Sequence, residues 1–188
     1  CRYNHQTLDL VIDYQKENNI DTKKISSITI DMPKYGVQLC GSPIEQKRNP
    51  QSPVDAQFSG CFAVALALTE QRADMTTFTG ALDKGLSDEF KRLMSITNIE
   101  QADDLDAIHP EFWPGRVKMI IDGDEVELYG KHMRGERERP MTIEEVQDKF
   151  RDLSPKHDEK NRKEVFDVIN KLENASIDDL LVPLRKNS

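Results

Sequence analysis

The chain has 188 residues, of which 32% are charged and 37% hydrophobic, and a formal net charge of −8. That length is ample for a buried core and suggests one domain, or one domain with a small appendage. No run of about 18 apolar residues is present, so no membrane-spanning helix is expected, and the acidic balance argues against nucleic acid as a partner.

Cys1, Cys40 and Cys61 are an odd set in a chain too large to need stapling. They point to a reducing, cytoplasmic compartment more than to a disulfide framework. The chain opens on Cys1 and not on Met, which points to a segment upstream of it. The charge is uneven. Residues 1–72 hold eight acids and eight bases, residues 73–130 thirteen acids and five bases, and residues 131–188 thirteen of each. The middle stretch therefore carries the whole excess. A small anionic substrate would prefer a locally basic spot elsewhere, such as Lys47-Arg48 in the first third.

In chain order, Leu8, Val11 and Ile12 recur at helical spacing, Leu10 and Tyr14 widen the apolar face, and Asn18-Asn19 ends the helix. Ile25 to Ile30 is rich in β-branched residues and reads as a strand stopped by Pro33, with Val37-Gln38-Leu39 as a second short one. Gly41 to Pro53 reads as a loop. Ser52 as N-cap, Pro53 at the first helical position and Asp55 at the capping-box position then start a helix. Phe58 to Leu68 is apolar nearly all round, as in a buried helix approached closely by another element. Ser87 caps an amphipathic helix from Asp88 to Met94. Asp122-Gly123, between Arg116 to Ile121 and Glu125 to Tyr129, is a type I′ hairpin turn.

Thr142 with Glu145 makes a capping box for a helix through Leu153. Ser154-Pro155 opens a charged helix through Val165, Ile169 and Leu172, and Ser176 with Asp179 caps a last one ended by Pro183. This order predicts an α+β fold with a small mixed or antiparallel sheet over residues 1–140 and terminal helices over residues 141–188. The last three helices have no strands between them and need something beyond this sheet to pack on.

No phosphate loop, Rossmann glycine fingerprint, paired CxxC, HExxH or Gly-x-Ser-x-Gly elbow is present. The densest polar cluster is Cys1-Arg2-Tyr3-Asn4-His5 at a helix entrance. A thiol and an imidazole four residues apart can serve there as acid, base or nucleophile, and helix amides can hold a carboxylate. The plainer reading is a loop entering a helix, with His5 as a surface or capping residue. Lys47, Arg48 and Asn49 form a second candidate, because Arg grips a carboxylate with two parallel hydrogen bonds and Lys adds a point charge. Its plainer reading is a solvated basic turn. Met133 to Arg137 reads as a flexible, solvent-facing loop, the acids at Asp103, Asp104 and Asp106 as a solvated loop, and Cys61 as core. His109, His132 and His157 lie in different segments and the cysteines lack ligand spacing, so no metal is expected.

Cys1-Arg2-Tyr3-Asn4-His5 followed by Leu8-Asp9 resembles the C-R-x-x-H…(I/L)-D start of the second domain of the MmgE/PrpD family, which includes 2-methylcitrate dehydratases and cis-aconitate decarboxylases. Asn49-Pro50, Asp55-Ala56-Gln57-Phe58-Ser59 and Ala63-Val64-Ala65 resemble its RP…(D/E)AQFS…(Y/F)xVA stretch. Phe78, Trp113-Pro114, Asp122-Gly123, Arg134-Gly135 and Pro140-Met141-Thr142 through Lys149-Phe150 fall in the family's order.

The resemblance implies a lid domain plus terminal helices, cut from a two-domain and commonly dimeric enzyme whose helical domain lies upstream. The terminal helices would pack back on the lid or on that domain. The implied chemistry is dehydration, decarboxylation or epimerisation of small di- or tricarboxylates without metal or organic cofactor. By matching position, His5 would transfer a proton or orient substrate, and Cys1 would face the cleft. Lys47, Arg48 and Asn49 would contact the substrate. Asn49 stands where the family has Arg before the proline, and the family's YP motif lies outside the chain. The competing expectation is a free-standing α+β interaction module without catalysis.

Overall fold

The amphipathic stretch at the start folds as α1 (His5–Asn18), which buries Leu8, Val11 and Ile12. It ends where Asn19 turns left-handed and its N–H reaches the Gln15 carbonyl at 2.8 Å. The structure is a computed structural model in which residues 1–185 are described, and they divide into two units at Pro140/Met141.

In the first unit, β1 (Ile25–Met32) buries Ile28, Ile30 and Met32 on one face. Five short helices or helical turns follow: α2 (Lys34–Gly36), a π turn (Val37–Gly41), α3 (Ile44–Lys47), α4 (Pro53–Gln57) and α5 (Gly60–Glu70). Next come α6 (Met75–Asp83), α7 (Asp88–Ser95), β2 (Thr97–Gln101) and α8 (Asp103–Asp106). The hairpin β3 (Gly115–Ile121) and β4 (Asp124–Gly130) completes a four-stranded mixed sheet ordered β2-β1-β3-β4, with β1 parallel to β2 and antiparallel to β3. Asp122 and Gly123 take φ of 57° and 94°, the two left-handed residues that a type I′ turn requires. The fold is α+β, as the element order predicts.

Several local expectations change. Val37 to Leu39 continues a helical turn and forms no strand: Leu39 is exposed while Cys40 and Gly41 are buried, a pattern without strand alternation. The apolar helix is not continuous with the Ser52 cap. Ser52 caps α4, the chain breaks at Phe58, and Ser59 caps α5 by accepting from the Phe62 N–H at 3.0 Å. The broken turn leaves Phe58 exposed. Residues 103–106 form α8, where Asp106 accepts from the Lys34 N–H at 2.7 Å. Met133 is buried and the Arg134 N–H donates to Asp9 at 2.7 Å, so residues 133–137 are tied to α1 and do not form a free loop.

α6, which the sequence reading omits, does carry a local start signal, a capping box between Asp74 and Thr77, whereas the local signal of β2 is weak. β2 presents only Ile99 as an aliphatic residue and owes its existence to pairing with β1.

The core lies between the sheet and α1, α5 and α7. Residues 60–68 of α5 are all buried. Ile99 wedges between two glycines: a Cβ on Gly41 would come within 2.7 Å of its Cγ2, and one on Gly60 within 2.7 Å of its Cδ1. These two close approaches set the π turn that carries Cys40, and the start of α5, against the edge strand. α7 is clamped to the beginning of β1 by Arg92, whose guanidinium donates to the carbonyls of Ile25 at 2.8 Å and Thr22 at 2.7 Å. The same guanidinium holds the Glu89 carboxyl down to a pKa of about 2.

The second unit contains α9 (Ile143–Leu153), α10 (Glu159–Ile169) and α11 (Ile177–Arg185). α9 has the capping box that the sequence announces. α10 starts later than expected, capped by Asp158, because Ser154 instead closes α9: its hydroxyl donates to the Phe150 carbonyl at 2.5 Å, and its own carbonyl accepts from Arg162 at 2.9 Å. Leu172 falls in a separate 3-10 turn. Pro183 lies inside α11 and does not end it; the ring is buried, and the helix forgoes the one main-chain hydrogen bond that a proline cannot donate.

Gly60→Ala should destabilise the chain by roughly 1–3 kcal/mol through overpacking against Ile99 Cδ1, the one atom that a valine at position 99 lacks. Ile99→Val should recover part of that loss when combined with it. Urea midpoints of the two single variants and the double variant check this; strict additivity would show that the contact is not the cause.

Candidate functional site

The polar turn at the start of the chain is held by its own backbone and by α4. The Asn4 N–H donates to the Cys1 carbonyl at 3.0 Å, and the buried Asn4 amide donates to the Gln57 carbonyl at 3.0 Å. Cys1 is half-buried, and His5, the first residue of α1, is exposed. The fold adds a partner with no signal in local sequence. Cys40 Sγ lies 3.5 Å from Cys1 Sγ. Burial pushes the Cys40 thiol up to about 11, against the opposing pull of Lys47.

An aromatic group surrounds the same turn. The Tyr3 ring lies 4.8 Å from Trp113 and 5.7 Å from His109, and the Tyr3 hydroxyl meets His109 Nε2 at 3.3 Å. Burial raises the Tyr3 pKa, with Cys40 and Tyr35 adding to the effect. Arg2 stacks 4.3 Å above Trp113 and pairs with Glu136 at 3.0 Å. Spacing along the chain put His109 in an unrelated segment; the approach of residues 109–113 to the N-terminal turn is purely tertiary.

The basic loop is more committed than its composition suggests. Lys47 Nζ donates to the Leu39 carbonyl at 2.6 Å, which places the ammonium beside the Cys40 turn. Arg48 donates to the Thr97 carbonyl at 2.8 Å and to Asn98 Oδ1 at 2.9 Å, on β2. Asn49 is exposed, and its carbonyl and side-chain oxygens accept from Gln51 at 3.1 and 3.0 Å. The turn itself is anchored by Ser59, whose hydroxyl donates to the Lys47 carbonyl at 2.5 Å. These contacts join Cys1, Cys40 and Lys47 into one cluster, while Arg48 is engaged at the sheet edge. Lys47 keeps unused donors, and the Arg48 side chain is 24% exposed, so both retain capacity for an anion.

Among the described residues, one group of side chains has metal-ligand geometry. His132 Nδ1 lies 3.6 Å from carboxylate oxygens of both Glu136 and Glu138. Glu136 is also paired to Arg2, and Lys131, Arg134, Arg137 and Arg139 share the segment. In that surplus of positive charge the cluster works as an ion-pair network more readily than as a cation site.

Cys1 should be the thiol that reacts first in the folded chain. Cys40 and Cys61 are fully buried and both are pushed up to about 11 by burial. Iodoacetamide at neutral pH, followed by peptide mass mapping, should label Cys1 and spare the other two; equal labelling of Cys40 would contradict this geometry.

A comparison with curated proteins returned no match. Over residues 1–174 the chain matches the model of the MmgE/PrpD C-terminal domain. The match covers the α+β unit with its polar N-terminal turn and continues through α9 and α10. The chain therefore belongs to the MmgE/PrpD family and carries its C-terminal domain.

Proposed function

We propose that the chain is the C-terminal part of a lyase acting on a small di- or tricarboxylate, dehydrating it as a 2-methylcitrate dehydratase does, with no metal or organic cofactor. The family match over residues 1–174 is the observation that carries this reading. In it, a helical domain outside this chain supplies the other wall of the site, the terminal helices pack toward that domain, and the whole enzyme is a cytoplasmic dimer.

Dehydration beside a carboxylate requires a base for the α-proton and an acid for the departing hydroxyl. An imidazole ordinarily titrates near neutrality and can fill either role. His5 suits the task because it is exposed on the first turn of a 14-residue helix, where the helix dipole also favours a carboxylate. Cys1 stands one turn earlier and is half-exposed, in reach of the same substrate. Lys47, Arg48 and Asn49 would hold the carboxylates through the donors that the fold leaves to them. Decarboxylation instead breaks a carbon–carbon bond, releases carbon dioxide and delivers a proton to the carbon left behind, and epimerisation removes and returns the α-proton; each also needs a proton-transfer group beside a carboxylate, and a substrate panel separates them from dehydration.

The surface around the turn supports a missing partner. Tyr35, Leu39, Val54 and Phe58 are all exposed, and they lie on residues 34–41 and 53–58, the two segments that touch the N-terminal turn through Cys40 and Gln57. Large apolar side chains gathered there are suited to burial against another domain.

The chain alone should show no turnover of 2-methylcitrate or cis-aconitate, and measurable turnover would refute the two-domain reading. In the intact parent protein, His5→Ala should lower kcat by at least about 10²-fold; a loss confined to KM would reduce His5 to a binding role. Light scattering should find self-association of the isolated chain, relieved by Tyr35→Ser with Leu39→Ser. A monodisperse monomer would favour the free-standing module.

A further inference from the structure

Cys1 and Cys40 are separated by 38 intervening positions, yet their sulfurs are 3.5 Å apart. A disulfide needs about 2.05 Å, so closure asks for a relative shift of roughly 1.5 Å. The two supports differ in a way that allows it. Cys1 is half-exposed at the start of a single 3-10 turn, whereas Cys40 is fully buried in the π turn wedged against Ile99. The moving partner is therefore Cys1, and the accessible one as well. Cys61 sits inside α5, where its thiol points to the Thr97 carbonyl at 3.9 Å, and it makes no sulfur contact among the described residues.

We propose that Cys1 and Cys40 form an oxidative modification site, a dithiol that closes to an intramolecular disulfide on reaction with a low-molecular-weight disulfide. Closure takes two exchanges. The Cys1 thiol loses its proton and its sulfur attacks the external disulfide; a bond forms between Cys1 Sγ and one external sulfur, and the other leaves as a thiolate that takes up a proton. Cys40 then loses its proton, its sulfur attacks Cys1 Sγ, and the second external sulfur leaves in the same way. Two cysteine thiols are oxidised by two electrons, one external disulfide is reduced to two thiols, and the protons balance. Burial slows the second exchange by keeping Cys40 protonated, while the Lys47 ammonium on the Leu39 carbonyl favours its thiolate. Proximity compensates, because the attacking sulfur is already in contact with its target. The site rests on this geometry and does not depend on the proposed lyase chemistry.

The test uses the folded 188-residue chain and oxidised glutathione, with acid quenching, alkylation in denaturant and peptide mass mapping. The expected result is one alkylated thiol, Cys61, with the peptides bearing Cys1 and Cys40 joined. Cys40→Ser should stop at glutathione bound to Cys1, and Cys1→Ser should leave Cys40 unmodified. Three alkylated thiols, glutathione persisting on Cys1 of the unsubstituted chain, or joining through Cys61 or between two chains would each overturn the proposal. The map of the unsubstituted chain decides the matter even if a variant fails to fold.

Discussion

A helix with no polar face has to be enclosed, and that requirement on α5 organises the first unit. Residues 60–68 are all buried, so α5 needs neighbours around its whole circumference: α1 on one side, α7 on another, and the edge strand β2 beneath its start. Alanines at positions 63, 65 and 67 keep it narrow, which permits the approach of several elements at once. Its cap does two tasks. Ser59 satisfies the helix N-terminus at Phe62 and, through the same hydroxyl, holds the Lys47 carbonyl. The position of the basic loop is thus a consequence of how a buried helix is started.

The polar turn inherits its geometry from the same packing. Gly60 and Gly41 both rest against Ile99, so the start of α5 and the Cys40 turn are referred to one side chain of β2. Asn4 reaches the end of α4, and Cys1 reaches Cys40. His5 and Asn49 are exposed, as are Tyr35, Leu39, Val54 and Phe58 on the neighbouring segments 34–41 and 53–58. Exposed apolar side chains on segments that touch the N-terminal turn are what the proposed two-domain arrangement requires.

Where a boundary is written by a local hydrogen bond, it could be read directly. The Thr142–Glu145 box, the Ser87 cap, the Asp122-Gly123 turn and the Asn18-Asn19 stop each depend on two to four neighbouring residues. The readings that failed depended on partners outside the short forward frame from which a cap is read, some distant and some only a turn or two away. Val37 to Leu39 has strand-like composition but is bent by the contact of Gly41 with Ile99, and Ser154 is drawn to Phe150 and Arg162 in preference to capping α10. β2 has hardly any pattern of its own, because an edge strand is stabilised by the ladder it joins.

The sequence by itself determined the α+β class, the buried character of α5 and the chemical identity of the polar turn, since composition and short-range periodicity carry that information. It also carried the family resemblance, whose motifs are short and contiguous. Only the tertiary structure decided that Cys40 and His109 belong beside Cys1 and Tyr3, and that Lys47 and Arg48 are partly consumed by carbonyls of residues 39 and 97. Those neighbours are separated by between 8 and 106 positions. They are brought together by the enclosure of α5 and the pairing of β1 with β2, neither of which leaves a local trace at the residues it unites.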